Sequence, residues 1–254
     1  MPQALTSAPE LDGAVHGWTV HEFPEVSSTN ELAAPLPPWT AVGALVQTAG
    51  RGRVGRSWVS SEGGLWFSAT VPAPGDAAQW ALLPLAAGWA ALTVVRARGV
   101  RGARLRWPND LLVGRRKLAG ILVERFSPAC AVIGIGMNLT NQPEAADPAL
   151  QGQTVRLADL VPEIPSRTDL LAELLAALRR EHGRLEAADT AGLCRDLNAA
   201  WQHRKIHVTL AGGRGALSGH LDGVDPHGSL LLRSSDGETL VLPPHRVELL
   251  REVF

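Results

Sequence analysis

Short runs of apolar and polar residues alternate over the first third of the chain, and this pattern predicts β-strands. The runs are WTVHEF from Trp18, AVGALVQT from Ala41 and GLWFSATV from Gly64. Between the first two runs, Ser28 and Glu31 have the spacing of a capping box. A short helix is therefore expected to begin at Ser28, with a strand-loop-strand unit after it.

The middle of the chain predicts one long helix and then more strands. Apolar residues recur at helical spacing from Ala77 to Arg98, and Gly99 is a suitable C-terminal stop. Pro84 lies inside this segment and is expected to start, kink or split the helix. Three extended segments follow closely, ARLRW, KLAGILVERF and ACAVIGIGMNL, and they predict a mainly antiparallel sheet.

The last third of the chain predicts two helices, over residues 166–188 and 190–203, after which the sequence pattern changes. From Ile206 onwards, short strands alternate with Gly-rich turns, which is typical of a small β-barrel. The chain is therefore expected to have an α+β fold in three parts. These are an N-terminal extension over 1–17, a large domain over 18–205 with a mixed, mainly antiparallel sheet packed by helices, and a small barrel over 206–254.

Composition narrows the functional classes. The net charge of −1 provides no overall field that would attract nucleic acid or an anionic membrane. The chain has neither a signal-like start nor about 20 uninterrupted apolar residues, so a cytoplasmic location without membrane association is expected. Cys130 and Cys194 are expected to be buried free thiols. The 17 residues before the first predicted strand are too few for a three-helix DNA-binding domain.

The segment GRGRVGRSW, from Gly50 to Trp58, is the first candidate site. Its glycines alternate with Arg51, Arg53 and Arg56, so backbone amides and guanidinium groups can face one anion. On composition alone, a flexible RNA-binding loop explains the segment equally well. Its position between two hydrophobic strands favours an enzyme's anion loop, in which Trp58 offers a flat surface for an adenine.

The second candidate combines RWPND with the following KLAGIL. Asn109 and Asp110 can hold a ribose, a phosphate or Mg²⁺, although Asn-Asp after proline is usually only a turn. Lys117 favours a ligand-binding site over a simple turn. The chain has two lysines and 22 arginines, so a lysine at this position indicates a requirement for a compact point charge. GIGMN at 134–138 and STN at 28–30 are weaker signals, since a β-bulge and simple capping explain them equally well.

Together these motifs resemble the signature set of biotin protein ligases. The set is STN at 28–30, Q-x-x-GRGRxGRxW at 47–58, WPND at 107–110, KLAGIL at 117–122 and GxGxN at 134–138. The resemblance is to the monofunctional type, which lacks an N-terminal DNA-binding domain. It implies a catalytic domain with a small C-terminal barrel of the Src-homology-3 type, whose own PPHRVELL ending matches no motif.

The resemblance also implies a reaction and a set of site residues. Biotin and ATP, with Mg²⁺, would form biotinyl-5′-adenylate, and a lysine of a biotin carboxyl carrier domain would then accept the biotinyl group in an amide bond. The catalytic residues would be Lys117, Arg51, Arg53 and Asp110, with a metal near Asp110. The biotin site would comprise Ser28, Thr29, Asn30, Gln47, Gly50, Arg51, Gly52, Arg53, Lys117, Gly120, Leu122, Gly134 and Met137. The ATP site would comprise Arg53, Arg56, Trp58, Asn109, Asp110, Lys117 and Asn138.

Three competing functions remain open at this point. A lipoate or octanoyl transferase would share the fold and use one lysine, but it is not expected to combine GRGRxGRxW with WPND. An RNA-binding module explains the arginines but not Lys117 or the buried strands. A biotin-binding protein without ligase activity would carry the same motifs. The acceptor carboxylase is not named by the sequence, and a sheet edge could support a homodimer.

Overall fold

The structure is a computed structural model and describes residues 13–73, 75–201 and 204–253. Most of the predicted extension and the end of the helix expected over 190–203 lie outside these residues. The larger sheet has eight strands, in the order β1-β2-β3-β4-β8-β7-β6-β5. The strands are β1 Gly13–Val15, β2 Trp18–Val26, β3 Thr40–Gln47, β4 Gly64–Pro72, β5 Ala103–Arg106, β6 Asp110–Val113, β7 Arg116–Arg125 and β8 Cys130–Asn138.

The sheet is mixed and mainly antiparallel, as predicted. Strands β2 and β3 run parallel, and the other neighbours are antiparallel. Two strands differ from the sequence analysis. Strand β1 lies inside the segment assigned to the extension, so the first strand begins before Trp18. Strand β6 is not among the predicted strands, because four residues between a turn and a Gly-Arg-Arg loop show too little alternation to be recognised.

Two long helices cover one face of this sheet, α2 (Ala77–Ala97) and α4 (Arg167–Glu186). Helix α2 runs through Pro84 without a break. An internal proline costs about 3 kcal/mol, whereas full burial of a leucine contributes about 1.5–3 kcal/mol, and Leu82, Leu83 and Leu85 are all buried. Helix α2 has the length and hydropathy of a possible membrane span, but 61% of that stretch is buried inside the protein, as in a core helix.

The opposite face carries the short helix α1 (Thr29–Ala33), which packs on β3, β4 and β8. Ser28 precedes this helix as predicted, but its side chain forms no capping hydrogen bond. The expected capping box is therefore wrong. Glu31 instead accepts a hydrogen bond from the Ser27 hydroxyl and lies 3.5 Å from a guanidinium nitrogen of Arg51. The capping spacing predicted that Glu31 would bind Ser28. In the structure, Arg51 of the Gly/Arg loop lies beside Glu31 instead.

The C-terminal part forms a separate five-stranded antiparallel sheet, in the order β12-β11-β10-β9-β13. Its strands are β9 Lys205–Leu210, β10 Ala216–Val224, β11 Leu230–Arg233, β12 Thr239–Leu242 and β13 Val247–Glu252. It follows α3 (Pro143–Ala146), α4 and α5 (Thr190–Trp201). The α+β class with a small C-terminal β unit is thereby confirmed, while the boundaries at residues 18 and 206 stay predictions.

Buried contacts join this small sheet to the hairpin of β5 and β6. The indole N–H of Trp107 donates to the carbonyl of Gly228, in the turn between β10 and β11, over 3.1 Å. The indole N–H of Trp201, at the end of α5, donates to the carbonyl of Leu105 and so fixes the helix that precedes the small sheet. Arg104 forms an ion pair with Glu252, and both side chains are almost fully buried. The last strand is thus held beside the WPND turn.

Candidate functional site

A polar pocket of about 480 Å³ opens on the α1 side of the large sheet. A chain of hydrogen bonds forms its inner end. The backbone N–H of Thr29 donates to Oε1 of Gln47 over 2.9 Å, and the Thr29 hydroxyl lies 2.7 Å from the hydroxyl of Ser68. The Ser68 hydroxyl in turn donates to Oδ1 of Asn30. These groups are mutually oriented, so the pocket can present fixed donors and acceptors to a polar ligand.

Glycines form the floor of this pocket because no larger residue fits. A Cβ at Gly134 would lie 2.2 Å from Oδ1 of Asn30, and one at Gly136 would lie 2.5 Å from the indole nitrogen of Trp58. A Cβ at Gly120 would lie 2.9 Å from the same indole ring. The glycines of KLAGIL and GIGMN thus allow Asn30 and Trp58 to lie directly on the strands, which a simple β-bulge would not require.

The Gly/Arg loop is a tight hairpin at the mouth of the pocket. The Trp58 N–H donates to the carbonyl of Gly50 over 2.8 Å, and the Gly52 N–H donates to the carbonyl of Arg56 over 2.7 Å. Val54, at the tip, has a φ of 56° and is 71% exposed. A β-branched residue rarely adopts this left-handed conformation, so the loop combines a closed base with a strained, exposed tip.

The two arginines predicted to hold anions have different partners. Arg51 donates to Glu124 over 2.9 Å, and the same carboxylate oxygen accepts from the Asn30 amide over 2.6 Å. Arg53 donates to Oδ1 of Asn109 over 3.4 Å. Burial lowers the pKa of Arg53; nearby Asp110 opposes this and Arg56 adds to it, with a net decrease. Its positive charge is thus incompletely compensated, as expected of a group that receives an anion.

A second cleft, of about 630 Å³, lies on the other side of the loop. Lys117 lines both clefts, with its Nζ 4.7 Å from the centroid of the Trp58 ring. This Nζ also lies 2.6 Å from Oδ1 of Asp110, whose other oxygen binds Arg106. Burial alone would raise the pKa of Asp110, but Lys117 and Arg106 outweigh burial and lower it. Asp110 is therefore an ionised anchor for two cations.

The C-terminal sheet contributes a wall of this second cleft. Glu248, Leu249 and Leu250 of β13 line it together with Arg53 and Arg56 of the loop. No role in a site is predicted for the C-terminal part from its sequence, because PPHRVELL contains no recognisable motif. The contact depends on the position of β13 beside the WPND turn, which local sequence does not encode.

Most of the predicted residues come together around these two clefts. The polar pocket is lined by Ser28, Thr29, Asn30, Gln47, Arg51, Gly52, Arg53, Trp58, Asn109, Lys117, Gly120, Leu122 and Gly134. The second cleft is lined by Gly52, Arg53, Arg56, Trp58, Asn109, Asp110 and Lys117. Gly52, Arg53, Trp58, Asn109 and Lys117 therefore border both spaces.

Three predicted residues lie outside the linings. Met137 is fully buried in the core on the helix side of β8, because its position in the strand is opposite in parity to Gly134 and Gly136. Asn138 donates from its amide to the carbonyl of Lys117 over 3.3 Å and so supports the strand that carries this lysine. Gly50 is buried under Trp58 and Ser60, at the base of the loop.

Three further polar residues hold the site together and were not among the candidates. Ser68 links Thr29 and Asn30, Glu124 links Asn30 and Arg51, and Arg106 shares Asp110 with Lys117. A signal existed for Ser68, which is fully buried and is, with Thr70, one of two polar residues in the mainly apolar run LWFSATV. Glu124 and Arg106 had no such signal, since charged residues at strand ends are usually solvated.

A metal site beside Asp110 does not fit this arrangement. Both carboxylate oxygens of Asp110 are engaged by cations, and no group of three or more potential metal-ligating side chains occurs in the part of the chain that the structure describes. The clefts instead suit two anionic ligands that meet between them. Attack of one anion on another is unfavourable until fixed positive charge neutralises both, and Arg53 and Lys117 lie at the shared border.

Comparisons with known proteins agree with this arrangement. Residues 25–138 match the Biotin/lipoate A/B protein ligase family. The chain is 36% identical over 185 residues to a biotin–[acetyl-CoA-carboxylase] ligase of Mycobacterium tuberculosis, a match that covers 66% of each chain. It is 32% identical over 236 residues to the ligase of the same name from Paracoccus denitrificans, covering 84% of this chain and 94% of the relative.

A solved structure has the same fold. The biotin protein ligase of Aquifex aeolicus, in complex with biotin and ATP, superposes with a TM-score of 0.78 at 24% identity. The superposition covers 92% of this chain and 99% of that structure. The likeness therefore includes the C-terminal sheet as well as the large one.

Proposed function

The chain belongs to the biotin/lipoate A/B protein ligase family, and we propose that it is an ATP-dependent biotin–[acetyl-CoA-carboxylase] ligase. It activates biotin as biotinyl-5′-adenylate and transfers the biotinyl group to a lysine of the biotin carboxyl carrier domain of a carboxylase. The proposal depends most on the residues that border both clefts. Arg53 and Lys117 line both spaces, so a carboxylate in one meets a phosphate in the other at two cations.

The polar pocket is the proposed biotin site. Ser28, Thr29, Asn30 and Gln47 are available to the ureido head, while Gly120, Leu122 and Gly134 leave room for the ring and the tail. Met137 is no longer part of this set, because it lies in the core. Arg51 is held by Glu124 and Glu31 at the mouth, and from there it would attract the biotin carboxylate.

The second cleft is the proposed ATP site. Arg56, Trp58 and Asn109 would contact the nucleotide, and Asp110 would act by holding Lys117 in place. In the first step a biotin carboxylate oxygen forms a bond to the α-phosphorus and pyrophosphate leaves. Arg53 and Lys117 neutralise the charge that accumulates on the phosphoryl oxygens, which is typically a large catalytic contribution.

Magnesium enters this proposal only as the counter-ion of the ATP phosphates, because Asp110 has no free carboxylate oxygen to offer it. Cytoplasmic location and a homodimer through a sheet edge also remain predictions. Arg53 and Lys117 promote this reaction by their position and charge, and no side-chain nucleophile is needed.

Transfer of biotin to a carrier domain tests the proposed function. The purified chain is incubated with ATP, magnesium, biotin and a purified carrier domain of acetyl-CoA carboxylase, and the modified lysine is located by mass spectrometry. One biotinyl group on the carrier lysine, formed only with both ATP and biotin, is the expected result. Transfer of lipoate in place of biotin would instead assign the chain to the lipoate branch of the family, and biotin binding without transfer would make it a binding protein.

A further inference from the structure

Glu124, near the end of β7, is a carboxylate beside the polar pocket that takes no part in the proposed reaction. Its Oε2 accepts a hydrogen bond from the amide nitrogen of Asn30 over 2.6 Å and another from the guanidinium of Arg51 over 2.9 Å. Asn30 and Arg51 line the pocket, whereas Glu124 itself does not. Any effect of Glu124 on a ligand must therefore pass through a neighbouring side chain.

The carboxylate of Glu124 fixes the direction of the Asn30 amide. A carboxylate that is paired with a guanidinium presents acceptors alone, so the amide nitrogen of Asn30 must face it. The amide oxygen then faces Ser68, whose hydroxyl donates to it over 2.5 Å. A hydroxyl can donate to an amide oxygen or accept from an amide nitrogen, so Ser68 alone would allow either direction. Glu124 thus commits the hydroxyl proton of Ser68 to Asn30.

This commitment leaves the inner end of the pocket one proton short. Three contacts between oxygen atoms join the described side chains there: Ser68 to Asn30 at 2.5 Å, Ser68 to Thr29 at 2.7 Å, and Thr29 to Oε1 of Gln47 at 3.0 Å. The amide nitrogen of Gln47 is turned away, because it donates to Ser60 over 2.8 Å. Ser68 and Thr29 supply one hydroxyl proton each. Among these described side chains, two protons therefore serve three contacts.

The contact without a proton lies between Thr29 and Gln47. The contact between Thr29 and the fully buried Ser68 is shorter, so a pair of facing lone pairs would be costlier there and the Thr29 proton occupies it. Facing lone pairs then remain between Thr29 and Gln47, and both of these residues line the pocket. An N–H of the ligand that donates at this point completes the network, whereas an oxygen of the ligand would meet acceptors alone.

We propose that Glu124 is a positioning residue that makes the pocket selective for a ligand N–H, an inference that rests on the proposed biotin site. It acts through Asn30 and Ser68 and so keeps the hydroxyl proton of Thr29 away from the ligand. The facing oxygens of Thr29 and Gln47 then suit the N–H groups of a cyclic urea. If the amide were reversed, Asn30 would donate to Ser68 and Ser68 to Thr29, and the Thr29 proton would be free for a ligand oxygen.

Binding of biotin and of two analogues measures this selectivity without ATP or an acceptor. Each analogue is a cyclic carbamate in which an ether oxygen replaces one ureido N–H at nearly constant shape. By calorimetry, the wild-type chain should bind biotin about 100-fold more tightly than the weaker carbamate. Glu124→Met keeps a similar length but releases the Asn30 amide, so this ratio should fall to about 10-fold. Glu124→Gln still offers a carbonyl to the same amide and should recover most of the ratio.

Glu31→Gln is the matched control for the loss of a carboxylate beside Arg51. Glu31 lies 3.5 Å from the same guanidinium, and its replacement leaves the hydrogen bond between Asn30 and Glu124 in place. The ratio should therefore keep its wild-type value. A wild-type ratio in Glu124→Met would overturn the role of Glu124. An equal decrease in Glu31→Gln would overturn it as well, because the effect would then come from Arg51.

If Glu124→Met does not fold, the double variant Asn30→Asp/Glu124→Gln decides. This variant exchanges the acid and the amide, so the side chain at position 30 still accepts from Ser68 and the wild-type ratio is expected. A ratio near 10-fold would overturn the proposal, as would equal binding of all three compounds by the wild-type chain. A wild-type chain that binds none of them would instead refute the proposed function, which is a different result from binding without selectivity.

Discussion

The ammonium group of Lys117 lies 2.6 Å from Oδ1 of Asp110, at the border between the two polar clefts. Arg106 occupies the second oxygen of the same carboxylate. The pair explains why a lysine occurs here in a chain that otherwise uses arginine. A compact ammonium can bind Asp110 and still lie 4.7 Å from the centroid of the Trp58 ring, whereas a planar guanidinium would present a wide, fixed fork.

Replacement of Lys117 by alanine should abolish most of the adenylation activity. We expect the rate of biotin-dependent pyrophosphate exchange to fall by about 10²–10³-fold, because one preorganised charge at the reacting phosphate is lost. Lys205→Ala is the matched control, since Lys205 is the chain's other lysine and lies exposed on β9. Equal losses in both variants would show that the effect does not come from the position of Lys117.

Asp110→Asn should destabilise the protein in a pH-dependent way. The variant leaves Lys117 and Arg106 without a counter-ion, so a loss of about 1–3 kcal/mol in the free energy of unfolding is expected at pH 7. The pKa of Asp110 is lowered in the folded state. Its contribution is therefore complete above the unfolded-state pKa and disappears as the pH falls through the lower folded-state value. Urea unfolding of both proteins from pH 7 down to acid measures this difference, and a difference that grows on acidification would contradict it.

Ser68→Ala should weaken biotin binding selectively. Removal of this buried hydroxyl deprives Asn30 of its donor and breaks the link to Thr29. The KM for biotin should rise by about 10-fold, equivalent to one net hydrogen bond of about 1–1.5 kcal/mol, while the KM for ATP stays constant. Thr70→Val removes a buried hydroxyl two residues further along the same strand, where it donates to the carbonyl of Ala33. If Thr70→Val raises the KM for biotin equally, the effect is general destabilisation of β4.

Glu252→Gln should loosen the C-terminal sheet and weaken ATP binding. Arg104 and Glu252 are 7% and 5% exposed, and removal of one partner from a buried ion pair costs about 3–5 kcal/mol. Because β13 also lines the second cleft, the KM for ATP should rise more than the KM for biotin. Arg251→Gln changes an exposed neighbour on the same strand and serves as the control. If the ratio of the two KM values is unchanged in Glu252→Gln, the ion pair between Arg104 and Glu252 does not influence the nucleotide site.

Residues with an unusual local identity could be predicted from the sequence. Lys117 was identifiable by its rarity, and Gly120 and Gly134 by their position in otherwise apolar strands. Met137 was misplaced even though strand periodicity of two already puts it opposite Gly134 and Gly136. A stricter use of that alternation would have assigned it to the core.

Residues that act through distant partners could not be predicted. Glu124 meets Arg51 across 73 positions of sequence, and Glu252 meets Arg104 across 148. Such contacts depend on how the sheets pack, and a charged residue at a strand end carries no local signal of them. Ser28 shows the opposite case, in which a local signal is present but misleading. Its spacing predicted a capping contact with Glu31, but Glu31 contacts Ser27 and Arg51 instead.

The exchange of labelled pyrophosphate into ATP tests the central claim most directly, since it reports formation of biotinyl-5′-adenylate without any acceptor. We predict exchange in the wild-type chain that requires biotin, and a loss of about 10²–10³-fold in Arg53→Ala, because Arg53 lines both substrate clefts. Exchange that proceeds without biotin, or that Arg53→Ala leaves unchanged, would contradict it.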